Sequence, residues 1–248
     1  MNRRKRGAGL PVLSENDHFS FPDPVTADPS GIVAVGGNLS PGMLLSAYRQ
    51  GIFPWFSRGE PILWWSPDPR FVVFPDEVRV SASMRKLLRK EPFSYSLDRR
   101  FGEVIEACAA ARRPDQSGTW ITRDMIRAYE ALHRLGYAHS VEVYRDGELC
   151  GGLYGISLGG VFFGESMFSA APNASKAAFI LFGAALRERG FGLIDSQVET
   201  RHVAGLGGRN IPRREFLRLL GNLLSRETLK GNWEELFPGF PRAGGINT

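Results

Sequence analysis

The apolar and polar residues of this 248-residue chain change rhythm near position 70. Beyond it, regular patterns follow one another. Residues 71–74 and 78–80 are short apolar runs that read as strands. Ser81 or Ser83 can cap a helix whose Met84, Leu87 and Leu88 face inward. Helices are predicted over about 100–112, with Asp98 as cap, and over 123–135, between Thr122 and the stop Gly136. Segments 140–145 and 148–154 flank Asp146-Gly147, a strong hairpin signal. Residues 161–165 read as another strand. Asn173 or Ser175 starts a long apolar helix to Arg189, ended by Gly190, and Pro212 opens a helix to about 224. Hairpin, strand, helix, strand, helix is the order of an α+β layer with a mixed sheet.

Before position 70 the texture differs. Residues 21–75 hold nine of the 16 prolines and three of the five tryptophans. Each proline removes a backbone donor and fixes φ, so no regular sheet or bundle is expected there. One helix is well signalled: Ser40 as cap, Pro41 at its first position, residues 43–50 as body, Gly51 as stop. The aromatics around it predict a small rigid domain, or a wall packed on a larger one. We place the boundary between residues 1–68 and 69–248, and read the first 20 residues as a loose tail.

Composition adds limits. With 43% hydrophobic and 23% charged residues the chain is ordinary for a globular protein. The basic stretch at residues 3–6 is followed by no signal-like apolar run, and no stretch reaches the roughly 18 apolar residues of a membrane helix. Two cysteines, Cys108 and Cys150, cannot make a disulfide framework, which fits a reducing cytoplasm. The four histidines lack metal-ligand spacing. Phosphate loops, dinucleotide fingerprints, nucleophile elbows and the zinc-protease motif are missing from the sequence. The net charge of +5 hints mildly at a polyanionic partner. More of that hint lies in Arg85, Lys86, Arg89 and Lys90, whose spacing puts them on one side of a helix. They make either a solvated face or a phosphate-contacting patch.

Three places could carry chemistry. In Leu193-Ile194-Asp195-Ser196-Gln197 a buried strand breaks into polar residues. If the strand continues, Asp195 and Gln197 share a face, ready either for a site or for routine bonds to the next loop. Glu165 ends an aromatic strand, and the following helix aligns Phe179, Phe182 and Leu186. That is either plain core or an apolar pocket with one anionic group at its rim, suited to a hydrophobic side chain beside an ammonium. The loop 201–208 has an Arg and glycines that could meet a pyrophosphate, but the interval from Arg to the first Gly is one residue too long for an acyl-CoA site.

These segments together resemble one family, the bacterial leucyl/phenylalanyl-tRNA–protein transferases. The resemblance rests on Gly-Ile-Phe-Pro-Trp-Phe (51–56), Trp-Trp-Ser-Pro-Asp-Pro-Arg (64–70), Gly-Thr-Trp-Ile-Thr (118–122) and Gly-Glu-Ser-Met-Phe-Ser (164–169). It continues through Asn-Ala-Ser-Lys (173–176), Leu-Ile-Asp-Ser-Gln-Val (193–198) and Ile-Pro-Arg-Arg-Glu (211–215), in unbroken order.

The resemblance implies a small N-terminal domain and a GNAT-like aminoacyltransferase domain. It implies transfer of Leu or Phe, less well Met, from aminoacyl-tRNA to proteins with N-terminal Arg or Lys, which marks them for degradation by the N-end rule. The tRNA ester is already activated, so no metal and no cofactor is expected. The enzyme would be a cytoplasmic monomer with no membrane partner. Asp195 and Gln197 match the catalytic positions, Asp195 orienting Gln197. A neutral amide is a very poor base and an α-amine has a pKa of roughly 8, so Gln197 is expected to align the amine. The aminoacyl pocket carries over to Leu153, Phe162, Phe179, Phe182 and Ile194, with Glu165 near the substrate's amino group. Trp120 would stack on the terminal adenine with Trp55 walling that end, and Arg85, Lys86, Arg89 and Lys90 would touch the acceptor stem. Two positions depart from well-known relatives: Ser196 where Cys is expected, and Leu153 where Met is expected. An acyl-CoA-dependent GNAT enzyme is the alternative; a tRNA-binding protein without chemistry is a third class.

Overall fold

The computed structural model describes residues 12–111 and 119–241. The basic N-terminal stretch, Arg112 and Gly118 lie outside the described residues. Seven strands form the main sheet in the order β10-β4-β9-β8-β7-β6-β5. In chain order these are β4 (Arg70–Val73), β5 (Ser94–Leu97), β6 (Ala138–Arg145), β7 (Glu148–Leu158), β8 (Val161–Ser169), β9 (Leu193–Asp195) and β10 (Arg209–Ile211). Every pairing is antiparallel except β8 with β9, which the long helix α5 (Ala174–Glu188) joins as a crossover. The predicted α+β class is the one observed. The Asp146-Gly147 hairpin forms as read, with both turn residues at positive φ.

Side chains alternate across this sheet into two cores. Val72, Tyr154, Ile156, Phe163 and Leu193 belong to one, shared with α1 (Pro41–Arg49), α3 (Phe101–Ala110), α4 (Arg123–Arg134) and α7 (Arg213–Leu224). Phe71, Val73, Leu153, Phe162 and Ile194 belong to the other, shared with α2 (Ala82–Arg89), α5 and α8 (Trp233–Leu236). Part of the punctuation behaves as expected: Ser81 and Thr122 accept from Met84 N and Met125 N, and Gly51, Gly136 and Gly190 take positive φ at helix ends. Ser40 and Asn173 hold the N-cap positions of α1 and α5 without a side-chain cap bond, Ser40 Oγ accepting from Leu13 N instead.

Several expectations fail for local reasons. Residues 78–80 make no strand; Arg79 N reaches only Leu206 O, in a loop. Asp98 does not cap α3, because its carboxylate is taken by His139, Ser140 N and Trp233 N. Residues 12–20 are tied down, with Leu13 N donating to Ser40 Oγ and Phe19 N to Ser46 Oγ. The Pro-rich segment does hold a sheet, though a minimal one: β1 (Ile32–Val35), β2 (Phe53–Pro54) and β3 (Leu63–Trp65), in the order β1-β3-β2. Strands this short fit between prolines. The loop 201–208 opens as a one-turn helix, α6 (Arg201–Ala204), capped by Thr200.

Candidate active site

The site grows from the end of β9. Asp195 is its last residue and is fully buried. After it the chain leaves the strand path: Ser196 N donates to Phe71 O, Phe71 N to Gln197 O, and Val198 N to Ser196 O at 2.7 Å. That last bond closes a three-residue turn around Gln197, whose φ is +57°. A side chain in this left-handed region costs on the order of 1–3 kcal/mol, so the surroundings must hold it. Asp195 Oδ1 does so, accepting from Gln197 N at 3.0 Å. The shared strand face expected for Asp195 and Gln197 is therefore replaced by a hydrogen bond from side chain to backbone.

Asp195 spends its remaining capacity on Arg70, which sequence reasoning missed as a site residue. Arg70 Nε donates to Oδ1 at 2.8 Å and Nη2 to Oδ2 at 2.7 Å, with both side chains fully buried. Arg70 Nη1 donates to Gly51 O at 3.1 Å, and the guanidinium lies between the rings of Phe53 and Phe216, 4.9 and 4.4 Å from their centroids. Gly51 must be glycine here: its φ is +74°, and a Cβ would stand 2.6 Å from Leu217. The signal in the sequence was an arginine at the head of an apolar strand, Arg70-Phe71-Val72-Val73, which needs a buried partner.

Glu165, in β8, faces the same glutamine from the other side. Gln197 Nε2 donates to its Oε1 at 3.4 Å. An ionised carboxylate only accepts, and this fixes the amide nitrogen of Gln197 toward Glu165. Two phenols hold the carboxylate: Tyr48 donates to Oε1 at 2.7 Å and Tyr129 to Oε2 at 2.8 Å. Neither tyrosine was expected in the site. Burial is the main cause that lifts the Glu165 carboxyl from 4.5 to about 7, against the lowering pull of the two phenols. The residue is half-buried and borders the cavity.

A cavity of about 870 Å³ opens beside these groups. Its walls include Leu153, Phe162, Phe179, Phe182 and Ile194, and also Glu165, Gln197, Trp55 and Trp120, so it brings together nine of the predicted residues. Leu186, read as part of the same helix face, is buried but does not border it. Asp195 stands behind the wall. Phe162 meets Phe182 edge to face at 4.8 Å. It can lie there because Gly155, on the neighbouring strand β7, has no side chain: a Cβ would stand 2.6 Å from the Phe162 ring. Trp55 is fixed by its carbonyl, which accepts from Trp65 Nε1 at 2.6 Å.

Arg85, Lys86 and Arg89 on α2 and Lys90 at its C-cap lie outside this cavity and are exposed, with Met84 turned inward. Among the described residues no group of His, Cys, Asp and Glu could hold a metal ion, and no helix is long and apolar enough to cross a membrane.

A mixed α+β sheet with an apolar cavity bordered by a carboxylate and an amide defines a protein with room for a bulky apolar group beside polar groups. Comparison with known proteins places it further. Residues 72–221 match the family model for leucyl/phenylalanyl-tRNA protein transferase, and residues 37–68 the model for that protein's N-terminal domain. A protein of that name from Syntrophus aciditrophicus is 58% identical over 90% of this chain and 94% of its own. One from Myxococcus xanthus is 52% identical over 90% and 96%, and one from Nitrosospira multiformis 55% identical over 87% and 93%. The chain belongs to the leucyl/phenylalanyl-tRNA–protein transferase family. Likeness to solved structures is faint: L-PGS from Bacillus licheniformis gives a TM-score of 0.40 at 12% identity, over 64% of this chain and 66% of that one.

Proposed function

We propose that this chain moves leucine or phenylalanine, and less well methionine, from tRNA to the α-amine of proteins that begin with Arg or Lys. It does so on a GNAT-like sheet, in the cytoplasm, as a monomer, and the product is marked for degradation. Residues 1–68 form the smaller N-terminal unit and 69–248 the transferase unit. The observation that carries the reading is the single cavity in which an aromatic and aliphatic floor ends on Glu165 and Gln197, with Trp55 and Trp120 on its wall.

The amino-acid side chain lies among Leu153, Phe162, Phe179, Phe182 and Ile194, where burial contributes about 1.5–3 kcal/mol. Its ammonium meets the Glu165 carboxylate. The terminal adenine stacks on Trp120 beside Trp55, a contact that contributes roughly 1–3 kcal/mol. Arg85, Lys86, Arg89 and Lys90 meet phosphates of the acceptor stem. The acceptor's neutral amine attacks the ester carbon, the C–N bond forms, and the ester C–O bond breaks. The ribose oxygen leaves with a proton, and the amine nitrogen gives one up. With Gln197 Nε2 on Glu165, Oε1 is left to accept from the amine and align it. Such alignment supplies up to about 7–11 kcal/mol of the barrier, without an amide acting as base. Asp195 works through the Gln197 backbone and touches no substrate.

Labelled leucyl-tRNA and a peptide beginning with Arg test this. Label is expected on the peptide; no transfer, with a CoA thioester used instead, overturns the reading. Gln197→Ala is expected to lower kcat on the order of 100-fold while leucyl-tRNA still binds, and full activity in that variant would remove Gln197 from the mechanism.

A further inference from the structure

We infer that Arg70 is the positioning residue of this reaction: its guanidinium, clamped from three sides, sets Asp195, and Asp195 sets the backbone turn that aims Gln197 into the cavity. This rests on the transfer reading above. The chain of contacts is short. Phe53, Phe216 and Gly51 O leave the guanidinium no room to turn. Its fork meets both oxygens of Asp195, so the carboxylate cannot rotate either. Asp195 Oδ1, which accepts from Arg70 Nε, accepts from Gln197 N as well. The neighbouring residue on the same strand, Phe71, pins both sides of the turn through its own N–H and C=O. One dipeptide, Arg70-Phe71, thus holds the left-handed Gln197 by side chain and by backbone.

The arrangement spans the molecule. Arg70 and Asp195 are 125 residues apart, Gly51 and Phe53 come from the Pro-rich segment, and Phe216 from α7. Without the guanidinium, Asp195 becomes a buried charge with no cation, and its carboxylate is no longer fixed against Gln197 N. The floor of the cavity does not depend on Arg70, which gives the inference its distinguishing mark: kcat should fall while the aminoacyl end still binds.

Transfer from leucyl-tRNA to the Arg peptide is measured with wild type, Arg70→Ala and Arg70→Lys, with and without millimolar guanidinium ion. Arg70→Ala is expected to lose on the order of 100-fold in kcat, as for a misplaced reacting group, with KM for leucyl-tRNA within about twofold. Guanidinium should restore about tenfold of that loss, and should not restore Gln197→Ala. Arg70→Lys keeps a charge but loses the fork, and is expected to fold and to lose about tenfold in kcat at unchanged KM. Wild-type kcat in either variant overturns the inference. So does a folded Arg70→Ala protein that binds leucyl-tRNA normally and is not rescued. If Arg70→Ala does not fold, Arg70→Lys decides alone. A wild-type protein that transfers nothing overturns the transfer reading itself, and this inference with it.

Discussion

Asp195 and Glu165 hold the same glutamine from two sides, one by its backbone and one by its side chain, and the protein has enclosed them in different ways. Asp195 is closed in against a guanidinium, so its charge is answered within the fold. Glu165 is hydrogen-bonded, among the described residues, by two phenols and an amide, and Arg70 acts on it only through space. The phenols offset part of its burial and none of these partners carries a positive charge, so its carboxyl stays near 7. A carboxylate neutralised by its own protein is a strut. One left without a cation is a socket, and an incoming ammonium completes it. Side-chain identity does not separate the two roles; the partner does.

The contrast breaks most violently at the strut. Asp195→Ala leaves the Arg70 guanidinium buried and alone, and a stability loss of about 3–5 kcal/mol is expected in urea unfolding, with transfer abolished. A loss under about 1 kcal/mol would mean that the pair contributes little.

At the socket the expected effect is smaller and depends on pH. Glu165 is raised to about 7 when folded against 4.5 ordinarily. Its contribution to stability is therefore fully present below 4.5 and is lost as pH climbs through 7. Glu165→Gln removes that loss, so the variant should gain on wild type in melting temperature between pH 5 and pH 8. The same substitution should lower kcat/KM for leucyl-tRNA by roughly tenfold, the worth of a charge-assisted bond, and erase a rise in activity centred near 7 while leaving the acceptor amine's own rise near 8. Identical melting profiles for the two proteins would contradict the assignment.

The smallest effect belongs to the floor, which has no charge to misplace. Leu153→Met exchanges a stiff side chain for an adaptable one of similar volume. We expect a shift of a few-fold toward phenylalanine and methionine over leucine in competition, at a stability cost below about 1.5 kcal/mol. A preference unchanged within error would take Leu153 out of specificity.

How much of this was legible in the sequence depended on distance along the chain. Helices announced by local punctuation, such as Pro41 with Gly51 or Thr122 with Gly136, fell close to where they were read. So did the Asp146-Gly147 hairpin. Phe179 and Phe182 were visible as a spacing; Glu165 was read as a strand end, but β8 runs on to Ser169. The remaining pocket residues were named through the family resemblance, and the cavity wall contains all of them. The short strands β5 and β10 escaped because three or four residues become a strand only through a partner elsewhere. Residues 78–80 carried the right side chains and lacked that partner. Arg70 and the two tyrosines were missed for the same reason: Tyr48 reaches Glu165 across 117 residues, and Arg70 reaches Asp195 across 125. Asp98 looked like a cap because its competitors, His139 and Trp233, are far away in sequence.

The Phe162 ring reaches close to a position that carries no side chain, and Gly155 itself is not part of the cavity wall. The dimensions of the specificity pocket are thus written partly in a residue that no substrate touches. An alanine there would stand 2.1 Å from the Phe163 carbonyl oxygen and 2.6 Å from the Phe162 ring, so it would strain the β7–β8 backbone as well as shift a ring that borders the pocket. A change of substrate range could arise in this family from a residue outside the pocket, with every lining residue kept.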